Sequence, residues 1–301
     1  MNIISIIAAA LLAPLFIGIV NQTKAFFAGK KGPGLFRLYR DLAKLLRKSC
    51  PRPEQSSWIF AVAQPVALAS ALTAAIVFPW NGAASSPLAL TTSAALFFYL
   101  LGTGRIFTLL ASLDAGSAFE GMGSSREVQF SALLEPIIFI IIGFLVLLSD
   151  GTSLASILSG ASGGSWIDNA VPLALAALAF FVVFLSENCR VPFDDPETHL
   201  ELTMIHEAML LDTAGPDLAF ALYGAALKFE LTAAFLAMMV LPAFDSSLMR
   251  LLAVFAAVAG ISVVTGIVES TMARMRFLKS PLALIGAALI AVLAIFFALY
   301  R

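Results

Sequence analysis

Acidic side chains are concentrated in the segment from residue 187 to residue 217, which lies between two strongly apolar runs. The segment holds eight Asp and Glu residues against a single Lys or Arg, Arg190. Pro192 and Pro196 flank a turn, and residues 197–210 continue without a helix breaker, so the sequence predicts a helix there. The acids are Glu187, Asp194, Asp195, Glu197, Glu201, Glu207, Asp212 and Asp217.

The pair Glu197 and Glu201 indicates what this segment could do. Four residues apart, the two carboxylates would lie on one face of the predicted helix and repel each other by about 0.2–0.5 kcal/mol. If such a pair is buried, one carboxyl is held protonated near neutral pH. The spacing therefore favours proton binding, with a solvated loop as the alternative.

Further ionisable residues lie in or at the edge of the apolar runs, where a charge at the bilayer centre costs about 2.5–3.5 kcal/mol. Lys228 and Glu230 are about 200° apart on a helix, so each needs a partner on another helix. Glu127 and Glu135 are two turns apart and are expected nearly on one face, with Glu135 opening a helix. Salt bridges that only stabilise the fold are the alternative. The predicted proton path comprises Glu127, Glu135, Glu197, Glu201, Glu207, Lys228 and Glu230, with Glu187 and Glu269 as further candidates.

The sequence predicts neither a metal site nor a catalytic centre. Cys50 and Cys189 are far apart and lack C-x-x-C spacing, which argues against an iron–sulfur cluster or a zinc site. His206 and Glu207 do not form an H-E-x-x-H motif, and no phosphate-binding glycine loop or Ser-His-Asp grouping occurs. We therefore expect no metal, no cofactor and no catalytic residue in this chain, and no nucleic acid as a partner.

The elements that must position these groups are membrane-spanning helices. A hydrophobic share of 60% and a mean hydropathy of +0.96 exclude a soluble domain. Continuous apolar runs long enough to cross about 30 Å of hydrocarbon predict helices, and they exclude a transmembrane barrel. We expect an all-α polytopic membrane protein, a single membrane domain over residues 1–301, with the first run retained as a helix. The eight runs are 3–20, 58–79, 88–112, 131–149, 170–186, 218–242, 248–268 and 281–300.

The distribution of basic residues predicts the orientation. Loops after the odd-numbered runs carry fourteen Lys and Arg residues, nine of them in residues 21–57, whereas the other side has only Arg250 and Arg301. By the positive-inside rule, the basic loops, including 21–57 and 187–217, are cytoplasmic. Both termini are then expected on the non-cytoplasmic side of the cell inner (plasma) membrane.

The first long loop contains a predicted amphipathic helix at residues 35–46, in which leucines recur at helical spacing and cations occupy the other faces. Such a helix can lie on anionic lipid, form a docking surface for a soluble partner, or do both. The residues assigned to docking are Arg37, Arg40, Asp41, Lys44 and Arg47.

Four motifs in fixed order carry a resemblance over essentially the whole chain: GPGLFRLYRDLAKLL, LDAGSAFEGMGSSREV, PFDDPETHLEL and ESTMARMRF. The chain resembles the membrane subunit of group 4 energy-converting nickel–iron hydrogenases, the family of formate hydrogenlyase subunit 4 and hydrogenase-4 component C. That family is homologous to the subunit 1 family of complex I (NADH–quinone oxidoreductase), whose E-x-x-R-x-P-F-D pattern is matched from Glu187 to Asp194.

Departures from complex I resemble the hydrogenase branch. Complex I has S-Y-E-V where this chain has SREV at residues 125–128, and typically A-E-Y where it has Ala226, Leu227 and Lys228. Glu269 and Arg274, in the last motif, likewise resemble the hydrogenase pattern.

The resemblance implies a non-catalytic membrane anchor and ion-coupling subunit of a hydrogenase- or formate hydrogenlyase-like complex. Its cytoplasmic loops would hold a small iron–sulfur subunit and a large nickel–iron subunit, with Arg190, Pro192, Phe193 and Asp194 joining the docking surface. The acids would link redox chemistry there to movement of protons or sodium ions in neighbouring antiporter-like membrane subunits. A quinone-site subunit of complex I and a stand-alone cation transporter are the alternatives.

Overall fold

The computed structural model describes residues 2–81, 92–149, 151–162, 165–194, 205–242, 244 and 246–300. Within these ranges, eight helices are long and apolar enough to cross a membrane, which confirms the predicted all-α polytopic fold. Two short 3-10 turns, Glu207–Leu210 and Phe277–Lys279, lie in the loops. The helices are α1 (Asn2–Phe27), α2 (Arg37–Leu45), α3 (Trp58–Val77), α4 (Ala94–Asp114), α5 (Ala118–Leu147), α6 (Leu154–Ser162), α7 (Ser165–Glu187), α8 (Gly215–Val240), α9 (Ser247–Thr271) and α10 (Ser280–Leu299).

The helix α8 lies at the centre of the bundle, where it contacts α1, α3, α7 and α9. Its second half is apolar and buried on all sides, from Leu231 to Met239. The C-terminal ends of α1, α4, α7 and α9 face the same side as residues 28–57, 188–194, 205–214 and 272–279. We call this the basic side and the other the opposite side.

The helix α1 is interrupted by Pro14, which has no N–H to donate to the carbonyl of Ala10. The hydroxyl of Tyr223, on α8, donates to that carbonyl at 2.7 Å instead. The hydroxyl of Tyr39, on the amphipathic helix α2, donates to the next carbonyl, that of Leu11. The surface helix α2 and the central helix α8 are thus both tied to the same break in α1.

The start of α5 differs from the prediction, because this helix begins at Ala118 rather than near residue 131. Gly116, with φ of +69°, ends α4, and α5 follows after Ser117. The first half of α5 buries polar and small residues, which gives no apolar run for hydropathy to detect. Glu135 consequently lies in the middle of a membrane-spanning helix and does not open one.

The segment 151–162, whose serine- and glycine-rich composition is typical of a turn, contains the short helix α6. Ser153 begins it by accepting a hydrogen bond from the N–H of Ser156 at 3.1 Å. Its apolar side chains are buried at helical spacing, at Leu154, Ile157, Leu158 and Ala161. Packing against the bundle therefore overrides the turn-forming composition.

The predicted helix at 197–210 is not seen in the part of it that the structure describes. Residues 205 and 206 are not helical, and Glu207–Leu210 form a 3-10 turn. This turn packs on α5 at Gly123, where an added Cβ would lie 2.9 Å from the Cβ of Ala208. Glu197 and Glu201 lie outside the described residues.

Candidate functional site

The site begins where α7 ends, in a turn that directs the next residues back into the bundle. The N–H of Cys189 donates to the carbonyl of Ser186 at 3.1 Å, and that of Arg190 donates to the carbonyl of Leu185 at 2.8 Å. This is the Schellman helix ending, with Cys189 at φ +52° where glycine is usual. Residues 191–194 are buried as a result.

Four charged side chains meet at this end of α7, and we call them the central network: Arg105 of α4, Glu127 of α5, Glu187 of α7 and Lys228 of α8. Glu187 Oε1 lies 2.9 Å from Lys228 Nζ and also accepts from Arg105 Nη2. Arg105 Nε lies 3.7 Å from Glu127 Oε1. The Arg105 and Glu187 side chains are only 9% and 5% exposed. Buried charges persist only when they are paired, and here two cations balance two carboxylates.

A second buried cluster surrounds Glu269, near the end of α9. Its Oε2 lies 3.1 Å from Lys24 Nζ of α1, and its Oε1 lies 3.4 Å from Arg190 Nη1. The guanidinium of Arg190 also stacks over the ring of Phe229, 5.3 Å from its centroid. Arg190 therefore connects the loop after α7 to both α8 and α9.

A third cluster surrounds Asp194, whose side chain is 4% exposed. Arg274 Nη2 lies 2.7 Å from its Oδ1, and the backbone N–H of His206 donates to its Oδ2 at 3.2 Å. Nearby, the N–H of Met275 donates to the carbonyl of Pro192 at 2.9 Å. Within residues 187–194, Glu187, Arg190 and Asp194 thus each pair with a different part of the chain.

The surroundings of this loop keep two other side chains uncharged. Burial, assisted by the positive charges of Lys228 and Arg190, lowers the pKa of His206 from 6.5 to about 4. Burial raises the pKa of the Cys189 thiol well above its ordinary value. Among the residues that the structure describes, no group of three His, Cys, Asp or Glu side chains could hold a metal ion.

Glu120 is a buried acid that sequence patterning missed. Its side chain is inaccessible to solvent, and its Oε1 accepts a hydrogen bond from the N–H of Asp212 at 3.0 Å. This bond holds the segment that begins with Glu207 against α5. Sequence patterning missed Glu120 because the predicted helix begins at residue 131, eleven residues after Glu120, which places Glu120 in a loop.

Glu230 is fully buried on α8, and neither carboxylate oxygen has a hydrogen-bond partner among the described residues. The predicted partner on another helix therefore exists for Lys228, which pairs with Glu187, but not for Glu230. Tyr39 and Tyr223 are close enough to interact electrostatically with Glu230.

Glu127 and Glu135 do not share a face of α5, contrary to the expectation. Eight residues turn a helix by about 800°, which is 80° beyond two full turns. Glu127 is buried in the central network, whereas Glu135 is exposed on the outside of the bundle. The predicted series of acids is therefore divided between the interior and the outer surface.

The residues predicted to dock a soluble partner separate into two groups. Arg37, Arg40, Lys44 and Arg47 of α2 and its C-terminal end are exposed, and Asp41 pairs with Arg37 at 3.4 Å. The second group is buried within this chain, so its side chains cannot present an anchor to a partner, contrary to the prediction. These residues are Arg190, Pro192, Phe193 and Asp194.

Aromatic rings fill the bundle between the central network and the opposite side, and we call them the aromatic column. Phe184 and Phe229 lie next to the charged residues, with ring centroids 5.0 Å apart. The rings continue from α7 and α8 through Phe180 and Phe235, 4.9 Å apart, toward Trp80 on the opposite side. The members are Phe184, Phe229, Phe180, Phe235, Phe98, Phe97, Phe78 and Trp80.

Comparison with known proteins identifies relatives over nearly the whole chain. The family model described as NADH dehydrogenase matches residues 1–300. The chain is 32% identical to hydrogenase-4 component C of Escherichia coli (strain K12) over 275 residues, which are 89% of this chain and 85% of the relative. It is 29% identical to formate hydrogenlyase subunit 4 of the same organism over 218 residues, 72% of this chain and 69% of the relative.

A solved structure has the same fold. A chain of the membrane-bound sulfane sulfur reductase, an archaeal respiratory membrane complex, superposes with a TM-score of 0.84 at 17% identity, covering 99% of this chain and 98% of that one. The resemblance carried by the four sequence motifs is thus confirmed. The chain belongs to the NADH dehydrogenase family, together with hydrogenase-4 component C and formate hydrogenlyase subunit 4.

Proposed function

We propose that this chain is a non-catalytic membrane anchor and ion-coupling subunit of a hydrogenase- or formate hydrogenlyase-like complex in the plasma membrane. The similarity to two such subunits supports this role. A small iron–sulfur subunit and a large nickel–iron subunit would bind on the basic side, which would be cytoplasmic. Antiporter-like membrane subunits would lie beside the chain. The iron–sulfur clusters and the nickel–iron centre would belong to the partners.

The central network is the observation that carries the proposal. Glu187 Oε1 is shared by two cations, Lys228 and Arg105, so this carboxylate can strengthen one pairing as the other weakens. In a poorly polarisable interior such changes are large, because charge interactions there are several times stronger than in water. A proton added to Glu127 or Glu187 would leave excess positive charge and favour release of a proton or a sodium ion elsewhere.

The loop from 187 to 194 is the proposed connection between the network and the soluble subunits. Arg190 and Asp194 pair with Glu269 and Arg274, which end α9 and begin the next loop on the basic side. A redox change in a module bound there would alter the potential at these ion pairs. The paired side chains would pass that change to Glu187, only three residues before Arg190.

The aromatic column favours a sideways route for the ion. Its rings lie between the central network and the opposite side, and this apolar filling would block a charge that moved straight through the bundle. A neighbouring membrane subunit would therefore have to complete the crossing. This argues against a stand-alone cation transporter.

Replacing Glu187 by Gln, with Glu54→Gln as the exposed control, tests the proposal. We expect less assembled complex with Glu187→Gln, because Arg105 and Lys228 lose their buried carboxylate. Redox-driven acidification of vesicles per assembled complex should also fall about tenfold or more in Glu187→Gln alone, a barrier increase of about 1.4 kcal/mol. Normal acidification per assembled complex in Glu187→Gln would leave the chain as an anchor only. Purification of the chain in mild detergent without any iron-containing partner would refute the anchor role too.

A further inference from the structure

The outer face of α5 carries a carboxyl group in a membrane-spanning helix. Glu135 lies near the middle of this 30-residue helix. At 1.5 Å per residue it is about 12 Å farther from the basic side than Glu127. It is exposed, and among the described residues it has no hydrogen bond or ion pair. The exposed residues of this face recur at helical spacing and are Val128, Ala132, Glu135, Pro136, Phe139 and Gly143.

A second hydrogen-bond acceptor lies one turn from Glu135. Pro136 has no N–H to donate to the carbonyl of Ala132, four residues earlier, and Ala132 is exposed on the same face. The face therefore offers a carboxylate and a backbone carbonyl that lacks its helical donor. Lipid tails have no donors, and polar groups at this depth are normally satisfied by another protein surface.

The neighbouring helix α4 extends this face. The ring of Tyr99, which is 57% exposed, lies with its centroid 5.7 Å from that of Phe139. Gly102 on α4 and Gly143 on α5 have open space where a Cβ would be, with no atom within 4 Å. Small residues of this kind allow another membrane helix to approach closely.

A different face of the bundle shows what a lipid-covered surface looks like in this chain. The helix α10 is exposed along one side through apolar residues only, among them Leu282, Leu289 and Phe296, which are 66%, 63% and 52% exposed. Hydrocarbon can cover such a face without cost. The α5 face differs from this apolar face because it carries hydrogen-bond acceptors.

We propose that the α4–α5 face is the docking surface for a transmembrane helix of a neighbouring membrane subunit, which brings a Lys, Arg or other donor side chain to Glu135. The exposed carboxyl group of Glu135 and the carbonyl of Ala132 select a partner with donors, and the glycines provide the room. This inference rests on the proposed function only in requiring that the chain has membrane partners. It assigns Glu135, which interacts electrostatically with Arg105 of the central network, to an interface.

Photocrosslinking in the intact complex tests the surface. A benzophenone amino acid at Phe139, compared with one at Leu289 on α10, is irradiated in native membranes, and adducts are identified by mass spectrometry. We expect the probe at Phe139 to capture a membrane-spanning subunit of the complex and the probe at Leu289 to yield lipid adducts. The proposal is overturned if position 139 also captures only lipid.

Substitution of Glu135 provides an independent test, because a lipid-covered face and a protein-covered face predict different retention of the neighbouring subunit. If lipid covers Glu135, Glu135→Leu should leave the neighbouring subunit bound as in wild type. That result would contradict the proposal. If a donor side chain of that subunit binds Glu135, Glu135→Leu should reduce its retention in detergent about tenfold, equivalent to about 1.4 kcal/mol. Glu135→Gln can still accept a hydrogen bond and should retain the subunit better than Glu135→Leu. Both readouts are independent of ion pumping. The docking surface can therefore be refuted while the coupling role stands, and the coupling role can be refuted while the docking surface stands.

Discussion

Asp194 Oδ1 lies 2.7 Å from Arg274 Nη2, although eighty residues separate the two in the chain. The pair joins the loop after α7 to the loop between α9 and α10. The backbone bond from Met275 to Pro192 lies beside it. Two loops of the basic side consequently form one surface, and the shape of that surface depends on a largely buried ion pair.

Removal of Arg274 should disrupt that surface. Arg274→Ala removes a cation that pairs with the Asp194 carboxylate, which is 4% exposed, and breaking a buried pair costs about 3–5 kcal/mol. We expect less folded chain and loss of the soluble subunits, measured by thermal unfolding and by co-purification. Arg276→Ala, an exposed cation in the same loop, is the control and should behave as wild type. Equal behaviour of the two variants would mean that the pair does not shape the surface.

The exposed cations of α2 should act on association and leave the fold unchanged. Replacing Arg40 and Lys44 by Ala is expected to weaken retention of the proposed soluble subunits mostly at low salt, because exposed charges mainly guide encounter and orientation and are screened as salt rises. Phe193→Ala should instead reduce thermal stability, by about 3–5 kcal/mol, since the ring is 4% exposed within the core. Retention of the proposed soluble subunits by the double variant at low salt, as strong as in wild type, would remove α2 from the docking surface.

Glu120 should be needed as an acceptor and not as a charge. Glu120→Gln keeps an oxygen that can accept from the N–H of Asp212, whereas Glu120→Ala leaves that N–H unpaired, at about 1–3 kcal/mol. We expect limited proteolysis to cut residues 205–214 faster in the Ala variant alone. Rapid cleavage of both variants would indicate that the charge itself matters.

His206 should make stability depend on pH. Its pKa of about 4 in the folded protein lies below the ordinary 6.5, so the unfolded chain binds more protons between these values. Stability from this group is fully present above pH 6.5 and is lost as the pH falls toward 4. The midpoint of thermal unfolding should therefore decrease more in wild type than in His206→Gln when the pH is lowered from about 7.5 to about 5. A parallel decrease in both would show that His206 is already solvated.

Hydropathy predicted the membrane helices well, because a span needs a long apolar run whatever its neighbours are. It failed for the start of α5, whose polar residues face inward, as at Glu120 and Glu127. It also failed for α6, where burial of Leu154 and Ile157 creates a helix in a serine- and glycine-rich segment. In both cases tertiary contacts decided what local composition could not.

The sequence predicted Glu127, Glu187 and Lys228 of the central network, but it predicted neither Arg105 nor the pairing. An isolated Lys228 in an apolar run requires an acid nearby, but which acid it is depends on how α7 ends and turns inward at Cys189. The family resemblance assigns Phe193 and Asp194 to the docking surface. The same inward turn buries them.

The aromatic column has a consequence for the membrane voltage. A transmembrane potential falls mainly across the least polarisable part of its path, which here is the stack of rings between Phe184 and Trp80. Glu187, the last residue of α7, therefore stays close to the potential of the basic side. A proton that reaches it crosses only a small part of the field, whose full crossing costs about 2.3 kcal/mol per 100 mV. Under the proposed function, protonation of the central network should thus follow the pH of the basic side with little response to the voltage, and the electrical work would be done in the neighbouring membrane subunits.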